Sequence, residues 1–493
     1  MRSTVFPTTF SDLPQSGATR NAAATRRPVS LPIVTGLLGV VDGAAILLPG
    51  VTATQWVRLP VAAEWNFLAV VVLLGALIAL NVQRFAGAYR VETVTAPGAG
   101  SGVTAMSWII AVAVLGVPAA LGRPEGDGFA TWLGAWAGVA LVALMAERQG
   151  AAMLVRRWRK ADRLCRHVAI VGSGSLGERV LRQIESQRDG WVVATGLYDD
   201  RRTGATQGCG RRHVSGTVDD LVADIRRGGI DEVVIAVPST DDRRAALAIH
   251  KLNGVPVDVR ECVEALSFRD QPCRMVRLGG LNLIGIVDAP LRDWRWVCKA
   301  IEDRILAGLA LALLSPVMLL IAAVIKCDSP GPALFRQKRH GLNNRLIEVL
   351  KFRTMYQHAC DPNAESLTQR NDQRVTRIGA FLRRTMLDEL PQLINVLRGD
   401  MSLVGPRPHA ICAKAGGLLY RDAVPNYDAR HRMKPGVTGW AQVNGWRGTT
   451  DTVEQIEKRV ECDLDYVENW SVGLDLAIML RTLLLPLKAL RRA

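Results

Sequence analysis

The chain has 493 residues, of which 49% are hydrophobic and 5% aromatic, and its formal net charge is +15. The length predicts about three domains of ~100–200 residues each. Its nine cysteines, never closer than eleven residues apart, exclude a disulfide framework and a zinc module built on paired cysteines. A basic excess in a chain this apolar predicts anionic lipids or phosphate-bearing substrates as partners, and no nucleic acid.

The first 150 residues predict a membrane unit. Residues 1–28, rich in Ser, Thr, Ala and Arg, are expected to be disordered. Within residues 29–150 lie four apolar runs: Leu31–Val51, Trp65–Val82, Val103–Leu121 and Phe129–Met145. Each approaches the ~20 residues that a helix needs to cross hydrocarbon, so four transmembrane helices are predicted. Basic residues concentrate before the first run, between the second and third, and after the fourth, which places both ends in the cytoplasm.

Residues 165–275 predict a Rossmann-like α/β domain, because β-type runs alternate there with helical segments. The first strand is followed by Gly172, Gly174 and Gly177, and the second ends at Asp199. A glycine turn before a helix lets the backbone approach a pyrophosphate, and an acidic residue after the next strand can bind a ribose hydroxyl. The pattern indicates either a nucleotide-like ligand or a regulatory or assembly domain whose glycines only permit tight packing.

A fifth apolar run, Ile305–Ile325, has Ser315 and Pro316 at its centre and basic residues on both flanks. Proline removes a helix hydrogen bond and clashes with the preceding turn, and one straight crossing would place one basic flank outside. We therefore expect a broken, re-entrant helix over 303–326 that enters and leaves on the cytoplasmic face. The stretch Leu474–Leu490 predicts an amphipathic helix on the membrane surface.

Residues 295–493 combine dense Arg and Lys with Gly-Pro punctuation. The motifs follow in the order Asp328–Gly341, Leu350–Met355, Arg383–Leu393, Leu397–Pro408 and Met433–Gly445. Together they resemble the bacterial polyprenyl-phosphate sugar-1-phosphate transferases, the monotopic phosphoglycosyl transferases. The four membrane helices and the Rossmann-like domain before them resemble the long subclass of that family. The resemblance implies an α-rich catalytic domain anchored by the re-entrant helix.

The resemblance also implies transfer of a hexose-1-phosphate from a UDP-hexose to undecaprenyl phosphate. Asp388 would attack the sugar-bearing phosphate and release UMP, and Glu389 would hold Mg²⁺ or position the acceptor; both are the expected metal ligands. The chemistry agrees, since a carboxylate can carry a phosphoryl group as an acyl phosphate and surrounding cations favour its ionised form. Without the flanking motifs, Asp388 before Leu390-Pro391 would be interpreted as a helix N-cap.

Cations and polar groups near this pair are predicted to bind substrate or phosphate: Arg407, Arg383, Lys351, Arg353, Gln337 and Arg339. A rigid guanidinium suits bidentate phosphate recognition, and phosphoryl transfer requires positioning and charge stabilisation. Gly436–Gly445 indicates either a loop that contacts the uridine or sugar, or a structural turn. Asp463 and Asp465 resemble the metal-binding pair of nucleotide-sugar glycosyltransferases but lack a preceding strand.

The sequence therefore predicts an inner-membrane enzyme with a cytoplasmic catalytic domain that starts exopolysaccharide or other surface polysaccharide synthesis. Glucose is favoured over galactose as the hexose, membrane lipids are expected contacts, and the membrane unit offers a surface for a homodimer. Two alternatives come from other classes. A dinucleotide-dependent oxidoreductase is disfavoured because no tyrosine has a lysine four residues later. A non-enzymatic regulatory scaffold would use the Rossmann-like domain as a sensor.

Overall fold

The computed structural model falls into two compact units, Arg26–Cys165 and Arg166–Ala493. It describes residues 30–56, 64–90, 93–94, 98–122, 128–161, 163–186, 191–201, 214–238, 241–262, 275–278, 281–359, 372–410, 413–415, 417–448 and 452–490. The N-terminal segment that we expected to be disordered lies outside these residues.

The first unit contains the four predicted apolar helices, α1 Leu31–Trp56, α2 Glu64–Phe85, α3 Ala99–Gly122 and α4 Gly128–Lys160. Tryptophans from α3 and α4 fill its centre, and Trp136 Nε1 donates to the Ile46 carbonyl over 2.9 Å. A Cβ atom on Gly75 would lie 2.6 Å from the Trp136 ring, so this glycine allows the helices to approach closely. Asp42, the charged residue of the first run, is buried and pairs with Arg148 at 2.5 Å.

The second unit begins with a six-stranded sheet in the order β2-β1-β3-β4-β6-β5. Its elements are β1 Arg166–Val171, α5 Ser175–Ser186, β2 Val192–Tyr198, α6 Val218–Arg227, β3 Glu232–Ile235, α7 Asp242–Leu252, β4 Asp258–Cys262, β5 Met275–Leu278 and β6 Leu281–Val287. The first four strands are parallel, as predicted, and the apolar residues of β1, β3 and β4 are buried on both faces.

The sheet extends past residue 275, where we placed the end of this domain. Strand β6 pairs antiparallel with both β4 and β5 and reaches Val287. The two added strands cover the edge of β4, which would otherwise present unpaired backbone groups. No helix separates β5 from β6. The alternation of strands and helices on which the prediction was based therefore did not indicate this hairpin.

The remainder of the second unit starts with the long helix α8, Asp293–Asp328, which carries Pro316 in its interior. The elements after it are β7 Leu334–His340, β8 Leu346–Phe352, α9 Arg377–Thr385, α10 Gln392–Arg398, β9 Ser402–Val404, β10 Lys414–Ala415, β11 Leu418–Leu419, α11 Tyr420–Ala423, β12 Gly436–Thr438, α12 Trp440–Val443, α13 Val453–Asn469 and α14 Val472–Leu490. Short 3₁₀ turns cover Leu342–Asn344, Gln357–Ala359, Leu387–Glu389 and Tyr427–Arg432.

Helix α8 is assigned as one helix through Ser315 and Pro316, without an interruption of its secondary structure. Both of its halves pack on the domain that follows. Ala307 in the first half contacts the α10 region, and Ile321 and Ile325 in the second half contact the cluster around Phe352. The opposite face of α8 exposes a stripe of large apolar residues, namely Ile305, Leu309, Leu313, Val317, Leu320 and Val324.

Helix α14 agrees with the predicted amphipathic pattern. Ile478 is fully buried in a cluster with Tyr466 and Trp470, whereas Leu480 and Leu483 are exposed. Four of the described helices are long and apolar enough to cross a membrane, namely α1, α2, α4 and α8.

Candidate active site

A cavity of about 460 Å³ lies between the hairpin β7–β8, the Leu387–Glu389 turn and the segment after β9. The turn exists because Met386, in the left-handed conformation at φ 61°, ends α9, and Pro391 begins the next helical segment. Asp388 and Glu389 both line the cavity from this turn. The residue in the N-cap position of α10 is Pro391, so Asp388 does not cap that helix.

Glu389 is neutralised by two cations. Its Oε1 atom accepts from Lys351 Nζ at 2.9 Å and from Arg407 at 2.8 Å, and its Oε2 atom lies 3.4 Å from a second nitrogen of Arg407. Burial by itself would raise the pKa of Glu389, but Arg407 and Lys351 outweigh it and hold that pKa below its usual range. Glu389 is therefore an ionised carboxylate with its charge already balanced.

Asp388 has the opposite environment. Its half-buried carboxylate makes no hydrogen bond and no ion pair within the described part of the chain. Burial raises the pKa of Asp388, Lys351 opposes the increase, and Glu389 adds to it. We expected the surrounding cations to favour the ionised nucleophile, but in the structure they bind Glu389 instead. Asp388 is thus a desolvated carboxylate that faces the cavity without a partner among those residues.

The cavity carries a large excess of positive charge. Its cationic lining residues are Arg339, Lys351, Arg353, Arg374, Arg383, Arg407, Arg447 and Arg459, against the two carboxylates of Asp388 and Glu389. Arg374 is paired with Asp372 at 2.6 Å, yet the cations still outnumber the carboxylates. Such a cavity attracts ligands that carry several phosphate charges.

Comparison with known proteins agrees with this chemistry. The family described as bacterial sugar transferases matches residues 294–489, and a CoA-binding domain family matches residues 84–262. The UDP-glucose:undecaprenyl-phosphate glucose-1-phosphate transferase of Escherichia coli (strain K12) is 41% identical over 317 residues, which are 64% of this chain and 67% of that protein. The chain belongs to the bacterial sugar transferases.

Two further relatives of this sugar transferase match different shares of its length. The undecaprenyl-phosphate glucose phosphotransferase of Komagataeibacter xylinus is 39% identical over 349 residues, 71% of this chain and 64% of that protein. The exopolysaccharide production protein PSS of Rhizobium leguminosarum bv. phaseoli is 53% identical over 173 residues, 35% of this chain and 86% of that protein. The sugar transferase thus spans about two thirds of the length of the first relatives.

The structure brings together all of the predicted phosphate-binding residues at the cavity wall, but their side chains do different things. Lys351 and Arg407 contact Glu389, as described above. Arg339 donates to Gln337 and to the Pro408 carbonyl, and burial lowers the pKa of Arg339 to about 10. Arg383 donates to Thr354 over 2.8 Å.

Arg353 is mainly structural, in contrast to our prediction. Its guanidinium donates to the Ser329 carbonyl at 2.7 Å and to the Pro330 carbonyl at 2.9 Å. These bonds fasten the turn after α8 to the end of β8. Gly331, at φ 120°, leaves the space that this guanidinium occupies.

Sequence reasoning missed Arg374, Arg447 and Arg459 as cavity residues. Arg447 comes two residues after the last recognised motif, and Arg459 projects from α13 and donates to the Trp446 and Gly448 carbonyls. No local pattern distinguishes these three from other surface arginines, since only the fold brings them to the cavity.

The contacts of the Gly436–Gly445 stretch favour a structural turn over a loop that contacts the uridine or sugar. Its strand β12 pairs in parallel with β9, and a Cβ atom on Gly436 would lie 2.1 Å from the Gly405 nitrogen. None of its residues is among those that line the cavity. The glycines are therefore needed where two backbones pass close together.

Asp463 and Asp465 do not form a metal pair. Asp463 is buried against Arg430, which donates to it over 2.6 Å, and Asp465 accepts from the Trp440 indole over 2.9 Å. Within the described residues, no group of three His, Cys, Asp or Glu side chains could hold a metal ion. Mg²⁺ commonly takes one or two carboxylates and completes its shell with water and substrate phosphates. The free carboxylate of Asp388 fits such a substrate-borne ion, whereas Glu389 is already engaged.

The glycine loop of the Rossmann-like domain packs tightly on itself and on neighbouring side chains. Gly172 has φ 116°, and a Cβ atom on Gly177 would lie 1.9 Å from the Gly172 carbonyl oxygen, whereas one on Gly174 would meet open space. Asp199 accepts from the Ser173 amide at 2.9 Å and from Arg244 at 2.6 Å. The structure thus brings the four predicted residues together, but the contacts of Asp199 favour the packing alternative over a ribose contact.

Proposed function

We propose that this sugar transferase moves glucose-1-phosphate from UDP-glucose to undecaprenyl phosphate and releases UMP. The observation that carries the proposal is the adjacent carboxylate pair, in which Glu389 is balanced by Lys351 and Arg407 while Asp388 faces a strongly cationic cavity unpaired. The activities for which the Escherichia coli and Komagataeibacter xylinus relatives are named support both substrates. The name of the Rhizobium relative supports a role in starting exopolysaccharide synthesis.

In the first step, an oxygen of the ionised Asp388 carboxylate attacks the phosphorus that bears the sugar. The bond from this phosphorus to the bridging oxygen breaks, and UMP leaves with that oxygen and its electron pair. Asp388 then carries the phosphosugar as an acyl phosphate. The cations around the cavity stabilise the charge that moves onto the leaving phosphate.

In the second step, an oxygen of the lipid phosphate attacks the same phosphorus, and the acyl phosphate bond breaks. The products are the lipid diphosphate sugar and the free Asp388 carboxylate. Neither step has to move a proton, because each nucleophile and each leaving group is an ionised oxygen: the Asp388 carboxylate and the UMP phosphate in the first step, and the lipid phosphate and the Asp388 carboxylate in the second. A site rich in cations and without a paired general base suits this reaction.

The membrane-facing parts support delivery of a lipid substrate at the cytoplasmic face of the inner membrane. Both halves of α8 contact the catalytic domain, so the helix stays beside that domain along its length. Its outer face and that of α14 are apolar and exposed. We infer that α8 enters and leaves on one side, with Ser315 and Pro316 as the place where it bends.

Asp388 would hold Mg²⁺ together with the donor phosphates. Glu389 would also bind the ion if it released Lys351 or Arg407. Bound there, it would neutralise phosphate charge. A homodimer through the membrane unit is a further part of the proposal.

The test is UMP release by the purified, detergent-solubilised chain with Mg²⁺ and undecaprenyl phosphate. UDP-glucose, UDP-galactose and the UDP-N-acetylhexosamines are supplied in separate reactions. We expect lipid-dependent UMP from UDP-glucose. UDP as the product would mean ordinary glycosyl transfer, and folded protein that is silent with every donor would favour a regulatory scaffold.

A further inference from the structure

The 3₁₀ turn Tyr427–Arg432, here called the bridging turn, lies between the catalytic cavity and the Rossmann-like domain. Three consecutive basic side chains in it, Arg430, His431 and Arg432, are all buried. Burying such residues is expensive unless they are paired. The partners of Arg430 and Arg432 therefore indicate what the turn is for.

On the cavity side, every donor group of Arg430 is engaged. Its guanidinium donates to Asp463 at 2.6 and 3.0 Å and to the backbone carbonyl of Arg407 at 2.7 Å. It also donates to the ring Nδ1 of His409 at 2.7 Å. Arg430 thus holds the backbone of Arg407, the residue whose side chain binds Glu389.

His409 is held in place by the same contact. An arginine can only donate, so Nδ1 of His409 accepts from Arg430. Burial lowers the pKa of His409 well below its usual value, and Arg430 and Arg459 lower it further. Since His409 also lines the cavity, Arg430 positions two parts of the cavity wall at once.

On the opposite side, the bridging turn docks on the Rossmann-like domain. A Cβ atom on Gly254 would lie 2.9 Å from the Asp428 Cβ, so Gly254 permits a close approach. Arg432 donates to the carbonyl of Asp288, just after β6. Nearby, Arg345 donates to the carbonyl of Arg226 at the end of α6 over 2.5 Å, which joins the hairpin of the catalytic domain to the same region.

We propose that Arg430 is a positioning residue for sugar-phosphate transfer, and that docking of the Rossmann-like domain on the bridging turn keeps it in place. Arg430 acts through Arg407 and not on substrate. The inference rests on the proposed function, because transfer is its readout. It gives the Rossmann-like domain a role in catalysis that does not depend on a ligand of its own.

The first experiment is a double-mutant cycle in the full-length chain, with UMP release as the measurement. Arg430→Lys keeps the charge opposite Asp463 but loses the fork that reaches Arg407 and His409. We expect kcat to fall about 10- to 100-fold, because small misplacements of catalytic groups have effects of that size, with a donor KM within about threefold of wild type. Arg421→Lys, an exposed matched control, should keep the wild-type rate.

Combination with Arg407→Lys decides whether Arg430 acts through Arg407. We expect the double variant to be about as slow as the slower single variant, since both changes disturb one unit. Penalties that multiply in full, or a wild-type rate for Arg430→Lys, would overturn the positioning role. Wild-type protein without UMP release would instead refute the proposed function.

Docking of the Rossmann-like domain is tested by a separate variant, in which an exposed side chain is changed. This variant also tests the proposal if Arg430→Lys does not fold. Arg345→Ala removes the bond to the Arg226 carbonyl. We expect kcat to fall about 2- to 30-fold, which is the range for residues that couple two regions. The melting temperature should not change. Arg336→Ala on the same hairpin is the matched control, because Arg336 is exposed and faces Glu348 at 3.7 Å. Equal rates for the two variants would exclude a contribution of docking.

Discussion

The catalytic cavity and the glycine loop of the Rossmann-like domain both combine features that suit phosphate binding, but their charges are arranged differently. Around the glycine loop three described cations have acidic partners: Arg244 pairs with Asp199, Arg201 with Asp241, and Lys251 with Asp200 and Asp219. In the cavity, Arg374 pairs with Asp372, and the other seven cationic lining residues face two carboxylates. Among the described residues, only the second arrangement leaves positive charge for a substrate, so the balance of charge distinguishes the two sites better than their motifs do.

The largest expected effect comes from Asp388→Asn. Loss of the nucleophile should lower UMP release at least about 10³-fold and prevent the phosphosugar from becoming attached to the protein. The melting temperature should not fall, because the raised pKa of Asp388 means that the fold disfavours its ionised form. Radiolabelled donor and a thermal melt measure both. Near-normal turnover would contradict the covalent mechanism.

Glu389→Gln should weaken both activity and stability. The pKa of Glu389 is lowered in the fold, so its charge stabilises the native state above the pKa of the unfolded chain. Removing it leaves Lys351 and Arg407 without their partner, which costs about 3 kcal/mol in buried pairs. Glu348→Gln is the matched control, since its carboxylate is exposed and 3.7 Å from Arg336. Equal melting temperatures would refute this account.

The acid limb of the activity profile should follow Asp388. The attacking form is ionised, so kcat falls as the pH drops through the raised pKa of Asp388. Lys351 is the main group that opposes this increase, and Lys351→Met should therefore move the acid limb to higher pH. Lys338→Met, on the same hairpin but exposed, should leave the limb where it is. An unshifted limb in Lys351→Met would show that another group controls it.

The smallest effect on catalysis is expected from the glycine loop. Gly177→Ala places a Cβ against the Gly172 carbonyl and should destabilise the protein by about 1–3 kcal/mol. Gly174→Ala meets open space and is the stability control. Below the melting temperature, kcat of the Gly177 variant should stay within about threefold of wild type. A large loss of kcat without loss of stability would mean that the loop takes part in transfer.

Much of the fold could be predicted from the pattern of apolar and polar residues along the sequence. Long apolar runs predicted the four helices of the membrane unit, and alternation of strands and helices predicted the parallel part of the sheet. The β5–β6 hairpin was missed because an antiparallel addition interrupts that alternation without a signal of its own. At Ser315 and Pro316 the expected break is absent from the helix assignment, since a proline inside a long helix commonly produces a kink without ending the helix.

Residues that belong to the long motifs, such as Asp388, Glu389 and Arg407, were predicted to lie together, and they line one cavity. Arg353 could not be assigned correctly, because the same guanidinium can bind phosphate or backbone carbonyls and only contact with Ser329 and Pro330 distinguishes the two. Asp463 shows the same difficulty, since its partner Arg430 lies 33 residues away.

The sequence alone determined the class of protein and the order of its parts, and it predicted Asp388 and Glu389 as the catalytic pair, because these depend on composition, periodicity and neighbours along the chain. Only the tertiary structure decided how charge is shared. It assigned Lys351 and Arg407 to Glu389, left Asp388 desolvated and unpaired among the described residues, and balanced Asp199 with Arg244. Electrostatic environment depends on distance and burial in three dimensions, and neither is encoded by spacing along the chain.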